Sequence, residues 1–229
     1  MHFGNPHHHS MELLKNSTLI PVWEQAGILE PLLHMPYPCE MTTRKEVEYL
    51  LTLQSTVDQE RLDYCHLIED HHFDVWAEFL KSLGVTPAGD LYAEIEIYDP
   101  IVDYLKVHYN RPRPFQVAPL YGIPFYPLSE RGSTESAYPG GHTLWSLFLY
   151  HKYSQMHPHL RKPLLAMVMD VNLSREQLGL HYPSDGLFSF QVYRHIAPYM
   201  TATPLHIQRK GWDSNPRYLS VREISNLLL

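Results

Sequence analysis

Three short patterns of cationic, glycine and histidine residues follow one another between residues 106 and 185. They are Lys106-x6-Arg113-Pro114, Pro139-Gly140-Gly141-His142 and Ser174-Arg175-x5-His181-x3-Asp185. Each pattern alone is a weak signal. Their occurrence together, in this order and within helical sequence, predicts that their side chains meet in the folded protein and share one chemistry.

The three cations of these patterns suit a tetrahedral oxyanion. A guanidinium such as that of Arg113 or Arg175 donates to two oxygens at once, whereas the ammonium of Lys106 acts as a point charge. Pro114 keeps Arg113 out of helical geometry, so its side chain can turn back toward Lys106. We therefore expect these three residues to bind a phosphate-like group.

The glycine pair is expected to lie at the start of a helix. Gly140 and Gly141 allow the backbone to approach an anion closely, and the unpaired N–H groups of the first helical turn favour negative charge there. His142 would then lie beside whatever anion binds.

The third pattern offers a nucleophile. Asp185 follows His181 by four residues, so its carboxylate can accept a hydrogen bond from one imidazole nitrogen and leave the other free to attack. His142 is placed to protonate the leaving oxygen. Fixed cations would stabilise the charge on the transferred group, which is usually a large part of phosphoryl-transfer catalysis.

These three patterns resemble the type 2 phosphatidic acid phosphatase superfamily, which includes soluble non-specific acid phosphatases, membrane lipid phosphatases and vanadium-dependent haloperoxidases. The run from Ala137 to Thr143 is most similar to the soluble acid phosphatases. The resemblance covers residues 106–185, and it departs from the family at Gly140, where the family usually has serine. The loss of that hydroxyl predicts weaker anion binding or an altered pH dependence.

The resemblance implies an all-helical fold and a phosphohydrolase that needs no metal and acts on a small phosphorylated substrate. It implies a phosphohistidine on His181 and makes His142 the general acid. The implied phosphate ligands are Lys106, Arg113 and Arg175. It leaves open a haloperoxidase with vanadate as cofactor, and the glycine at position 140 leaves open a degenerate phosphate-binding protein.

Hydrophobic periodicity favours helices throughout. Three signals predict where helices begin. Thr43 and Glu46 form a capping box, and Thr86-Pro87 and Asp99-Pro100 each combine a capping residue with a first-turn proline. The helices are expected at about 43–70, 73–83, 99–110, 141–157, 160–178, 183–197 and 220–229, with a long ordered loop over 115–141. Residues 1–20 are expected to be a flexible segment, and 21–229 one all-α bundle with its motif core at 99–199.

Composition excludes several classes of partner. A formal net charge of −7 argues against nucleic-acid binding. Two cysteines cannot form a disulfide framework, although one bridge stays open. The polar first ten residues are unlike a signal peptide, and no apolar run approaches the ~20 residues of a membrane span, so a cytoplasmic location is expected. Homo-oligomerisation through residues 227–229 stays open.

A cluster of histidines and acids at residues 66–72 leaves open a metal site, because Glu69-x-x-His72 has the spacing used by di-iron helical bundles. The sequence offers no second such pair, which favours a polar helix end near the surface. The identity of the substrate stays open among nucleotides, sugar phosphates and lipid phosphates.

Overall fold

The computed structural model describes residues 14–87, 89–129 and 135–200, and within these residues the regular structure is helical. The α-helices are α1 (Leu19–Gln25), α2 (Glu30–Leu33), α3 (Glu40–Gln54), α4 (Gln59–Asp70), α5 (His72–Ser82), α6 (Asp99–Tyr109), α7 (Pro114–Val117), α8 (Gly141–Met156), α9 (Arg161–Gln177) and α10 (Pro183–Met200). Short 3-10 turns lie at Glu96–Tyr98, Ala118–Tyr121 and Pro158–Leu160. The all-α prediction is confirmed.

Helix α8 is the centre of the bundle. It packs mainly against α9 and α10. Apolar residues surround it on nearly every side, and Leu144, Leu147 and Leu149 are fully buried. A helix that is hydrophobic all round must be covered on all sides, so the sequence-based prediction of a central helix here is confirmed. The central position of α8 brings its first turn, with Gly141 and His142, into the interior.

The predicted helix over residues 43–70 is wrong in its extent. The chain forms two helices, α3 and α4, separated by a turn, and Asp58 caps the second by accepting a hydrogen bond from the Arg61 N–H (2.8 Å). The predicted capping box at Thr43 and Glu46 is also wrong, because α3 already begins at Glu40. Both side chains instead accept hydrogen bonds from Arg111.

Two other local predictions need correction. Thr86-Pro87 does not open a helix, since the next helical turn begins at Glu96. The predicted loop over 115–141 contains α7 and a 3-10 turn. Pro114 is the reason for α7: its fixed φ suits a first helical turn, while it keeps Arg113 extended (φ −69°, ψ 157°).

Some expectations fall wholly or partly outside the described residues. The last helix, at 220–229, and the oligomerisation contact at 227–229 lie there, as do residues 1–13. Leu19 and Ile20, in the segment expected to be flexible, are buried in the main core.

Cys39 and Cys65 are both free. In the part of the chain that the structure describes, no helix is both long and apolar enough to cross a bilayer.

Candidate anion-binding site

His181 is buried two residues before the start of α10 and has a partner on each ring nitrogen. Its Nδ1 lies 2.8 Å from the Ala137 carbonyl oxygen and 3.1 Å from Asp185 Oδ2. Its Nε2 lies 2.8 Å from Arg113 Nη1. Two acceptors at Nδ1 and an obligatory donor at Nε2 define the tautomer, with the proton on Nδ1 and the lone pair on Nε2. The lone pair therefore points at a guanidinium.

Asp185 is held on both of its oxygens. Oδ2 accepts from the Tyr182 N–H (2.9 Å) and from His181, as the four-residue spacing predicts. Oδ1 accepts from Arg111 Nη1 (2.5 Å). Burial raises the pKa of Asp185 to about 6, although Arg111 and the Tyr182 N–H act in the opposite direction. These contacts fix the carboxylate that orients His181.

Arg111 is the functional neighbour that the sequence analysis missed. It is 1% exposed and donates to Asp185, to Ser184 Oγ (2.7 Å) and to Glu46 Oε2 (3.0 Å). Its guanidinium also stacks 3.7 Å above the ring of Tyr182. Burial acts to lower the pKa of Arg111, but Asp185 and Glu46 outweigh it, so the pKa is raised.

The Arg-Pro-Arg-Pro run carried a signal for this role. A residue before proline is pushed into extended backbone, and residues two apart in extended backbone face the same way. Arg111 and Arg113 should therefore point together. They do: both side chains reach the segment 180–185, Arg111 at Asp185 and Arg113 at His181.

Arg113 is buried, and its side chain is held by backbone carbonyls. Its Nε donates to the Glu135 carbonyl and its Nη1 to the Leu180 carbonyl, each at 2.8 Å. Burial lowers the pKa of Arg113 to about 10, which still leaves it charged at neutral pH. The guanidinium is therefore a fixed positive group beside His181.

Lys106 lies in the last turn of α6, and its Nζ donates to Glu135 Oε2 (3.0 Å). The ammonium faces the start of α8, because a Cβ built on Gly141 would lie 3.7 Å from Nζ. Burial and the charge of Arg113 lower the pKa of Lys106, while Glu135 acts against them. No local sequence pattern indicates Glu135 as the partner of Lys106, because 29 residues separate the two.

Arg175 is 4% exposed and is only partly satisfied. Its Nη2 donates to Glu69 Oε1 (3.3 Å), whereas its Nε and Nη1 have no hydrogen-bond partner among the described residues. Buried polar groups almost always have partners, and leaving a charged donor unpaired is costly. Two unpaired N–H edges on a buried guanidinium point to an anion that belongs there.

The histidine and acid cluster at residues 66–72 is only in part the polar helix end expected near the surface: Asp70 and His71 are exposed at the end of α4, whereas Glu69 and His72 turn inward. Glu69 pairs with Arg175 and accepts from Ser129 Oγ (2.9 Å), and His72 is buried against His142. No group of three metal-ligating side chains occurs within the described ranges. Two of the cluster's residues thus belong to the surroundings of the anion site.

His142 lies in the first turn of α8. Its ring contacts the rings of His72 (5.1 Å between centroids, nearly perpendicular) and Trp145 (5.0 Å). Burial lowers the pKa of His142 well below its usual value, and nearby Arg175, His72, His181 and Lys106 lower it further. In the absence of an anion it is therefore neutral.

Gly140 and Gly141, at the start of α8, differ in whether their backbone N–H groups are available to an anion. The Gly140 N–H donates to the Asp185 carbonyl (3.4 Å), and its carbonyl accepts from Ser189 Oγ (3.1 Å). Its backbone groups are therefore engaged within the protein. Gly141 begins α8 beside Lys106, so the first-turn N–H groups available to an anion begin at Gly141.

The residues singled out in the sequence are brought together. Hydrogen bonds join Arg113, His181 and Asp185. Burial lowers the pKa of His181 well below its usual value, and the charges of Arg113, Arg175 and Lys106 lower it further, which requires that all three lie near its ring. The charges of Arg175 and Lys106 act on His142 as well. The arrangement concentrates positive charge around an unprotonated imidazole nitrogen.

A second buried network supports the first turn of α8. Thr143 Oγ1 donates to Asn172 Oδ1 (3.0 Å), and Asn172 Nδ2 donates to Glu176 Oε1 (2.7 Å). Asn172 also lies against Gly186, where an added Cβ would be 1.9 Å from its Oδ1. This network joins α8, α9 and α10 directly behind the site.

Glu176 should make stability depend on pH. Burial raises the pKa of Glu176 to about 8, whereas an unfolded glutamate titrates near about 4.3. Between these values the folded protein holds a proton that the unfolded chain has released, so stability falls as pH rises. In urea unfolding, Glu176→Gln should gain more than about 1 kcal/mol over wild type between about pH 5 and pH 8.

The exposed Glu60 on α4 gives the control for this experiment. Glu60→Gln should track wild type at every pH. A Glu176→Gln curve parallel to wild type would show that this carboxyl has an ordinary pKa.

A comparison of the chain with models of known protein families gave no match. A comparison with curated proteins gave no match either.

Proposed function

We propose that this protein is a metal-independent phosphomonoesterase that forms a phosphohistidine on His181. The observation that carries the proposal is that two buried nitrogens of Arg175 have no partner among the described residues, while the charge of Arg175 acts on both members of the Arg113–His181 contact. Together with Lys106 they offer a tetrahedral dianion both charge and donors. The resemblance to the type 2 phosphatidic acid phosphatases supports the same assignment.

The chemistry follows from the tautomer of His181. Its Nε2 lone pair attacks phosphorus, a P–N bond forms, and the P–O bond to the leaving alcohol breaks. The imidazole then carries positive charge, which Asp185 stabilises at Nδ1. Water next attacks phosphorus, the P–N bond breaks, and inorganic phosphate is released.

His142 supplies the proton for the leaving oxygen. It is neutral beside Arg175 and Lys106 in the unliganded protein, but a bound dianion adds negative charge next to its ring. That charge raises the pKa of His142, so it can take up a proton before the P–O bond breaks. In the second step the same nitrogen accepts a proton from the attacking water.

Substrate binding must also rearrange the cations. In the unliganded protein Arg113 donates to His181 Nε2. Arg175 is paired with Glu69, and Lys106 is paired with Glu135. An entering phosphoryl group takes over these donors and frees the His181 lone pair for attack. The two carboxylates thus hold the cations in place until the anion arrives.

Hydrolysis of an aryl phosphate by purified protein in excess chelator tests the proposal. Wild type should turn over, and His181→Ala should lose at least about 10³-fold in kcat because the nucleophile is gone. The control is His159→Ala, which changes an exposed histidine outside the site. Equal activity of wild type and His181→Ala would remove the nucleophile from its proposed role.

Orthovanadate separates the alternatives that the sequence left open. A phosphatase should be inhibited by vanadate and should not halogenate a dye in the presence of peroxide and bromide. Halogenation would favour the haloperoxidase. Phosphate-dependent thermal stabilisation without turnover of any ester would favour a binding protein.

The glycine at position 140 gives a graded test of the same site. A Cβ at this position would lie 3.3 Å from Thr143 Oγ1 and 3.5 Å from Ser189 Oγ, so a side chain fits after a small shift. Gly140→Ala adds only the Cβ and so controls for the crowding. Gly140→Ser adds the same Cβ and also a hydroxyl near the anion. The serine variant should bind phosphate about two- to tenfold more tightly than the alanine variant. Competitive inhibition by phosphate measures this, and equal constants for the two variants would contradict it.

A further inference from the structure

Aromatic rings pack against one side of the His142 ring. Trp145 lies 5.0 Å from the His142 ring, and Phe73 lies 6.0 Å from Trp145 and 5.4 Å from Tyr92, all between centroids. We call Phe73, Tyr92 and Trp145 the aromatic wall. All three side chains, like His142, are partly exposed rather than sealed in the core.

The wall is fixed by a carboxylate behind it. Asp99, at the start of α6, accepts from Trp145 Nε1 (2.6 Å) through one oxygen and from the Tyr92 hydroxyl (2.9 Å) through the other. Both polar ring edges are thereby engaged, and Asp99 itself is buried. A ring whose polar edge is satisfied offers its apolar face at low entropic cost.

The position of the wall relates it to the leaving group. A general acid must lie within hydrogen-bond reach of the oxygen that it protonates, so the alcohol attached to that oxygen lies next to His142. The rings of the wall lie on that side, and burial, a hydrogen bond to Asp99 and the charges of Asp99 and Asp103 raise the pKa of Tyr92, so both carboxylates lie close to the wall. They would repel a second negative charge on a leaving group that packs against the wall.

From this geometry we propose, on the basis of the proposed phosphatase activity, that the aromatic wall selects substrates whose leaving alcohol carries an uncharged planar ring. Such a ring packs against Phe73 and Trp145 while its phosphate occupies the cation site. A saturated ring of the same size has no flat face to present, so it gains less from the wall.

Benzyl phosphate and cyclohexylmethyl phosphate test this selectivity, because they match in size and in the chemistry of the leaving oxygen. Wild type should favour benzyl phosphate by about tenfold in kcat/KM. Phe73→Leu should reduce that ratio to below about threefold while the inhibition constant of inorganic phosphate is unchanged. Phe79→Leu, on the same helix with its ring packed edge-on against Trp76, should keep the wild-type ratio.

The outcomes separate this proposal from the proposed function. Hydrolysis with equal kcat/KM for the two esters, or a ratio unaffected by Phe73→Leu, would overturn the wall's role and leave the phosphatase intact. If neither these esters nor an aryl phosphate is hydrolysed, the phosphatase assignment fails. Whenever the two esters are not hydrolysed, the wall is tested by the thermal shifts that benzylphosphonate and cyclohexylmethylphosphonate produce. Preferential stabilisation by the benzyl compound that Phe73→Leu removes would support it, and equal stabilisation would overturn it.

Discussion

Replacing Arg175 by glutamine is expected to lower kcat/KM for an aryl phosphate by about 10²–10³-fold, the loss typical of removing a preorganised donor to a developing oxyanion. Two of its buried nitrogens have no partner among the described residues, so they are available to the phosphoryl oxygens at no cost in broken hydrogen bonds. Steady-state kinetics with wild type and Arg175→Gln measure the effect.

The same substitution should also lower the stability of the fold, because it leaves the nearly buried Glu69 without its cation. The Ser129 hydroxyl still donates to Glu69, so urea unfolding should show a partial loss of stability with the protein still folded, and kcat/KM is compared in the folded fraction. The matched control is Arg161→Gln, which removes an exposed positive charge from the same helix and should change neither activity nor stability. Full activity in Arg175→Gln would show that this guanidinium does not contact the substrate.

Arg111→Met is expected to cost about 3–5 kcal/mol of stability, because it leaves Asp185 and Glu46 as buried or nearly buried carboxylates without their cation. Activity should fall as well, since Asp185 would lose the contact that fixes it against His181. Urea unfolding measures the first effect, and kcat in the folded fraction measures the second.

Arg44 provides the comparison for Arg111. It pairs with Glu48 on the exposed face of α3, so Arg44→Met should change the free energy of unfolding by about 0.5 kcal/mol or less. If Arg111→Met does not fold, Arg111→Lys replaces it in the experiment. This variant keeps the positive charge but cannot donate to two carboxylates as the guanidinium does, so its free energy of unfolding should lie between those of wild type and Arg111→Met. Equal stabilities of the Arg111 and Arg44 variants would contradict the role of Arg111 as the buried partner of both acids.

The sequence predicted those parts of the fold that local chemistry dictates. Asp99-Pro100 opens α6 because proline suits a first helical turn, and α8 reads as buried because its apolar residues surround the axis. The extended conformation of Arg113 and the reach of Asp185 back to His181 follow from Pro114 and from four-residue spacing. These features depend on neighbours in sequence.

The features that the sequence did not reveal depend on partners far along the chain. Glu46 reads as a helix cap from its spacing to Thr43, yet it bonds Arg111, which is 65 residues away. Glu69 reads as a surface acid, yet it neutralises Arg175 across 106 residues. Periodicity cannot reveal such pairs, because a buried charge leaves no local pattern when its counter-charge lies on another helix.

We propose that groups from α6, α8 and α9, together with Arg113 before α7 and His181 before α10, surround one oxyanion. A crystal structure of the protein with orthovanadate tests it most directly. We expect vanadium within bonding distance of His181 Nε2, its oxygens in contact with Lys106, Arg113 and Arg175, and the His142 ring on the opposite side. Vanadate bound elsewhere, or a site that stays empty at saturating vanadate, would contradict it.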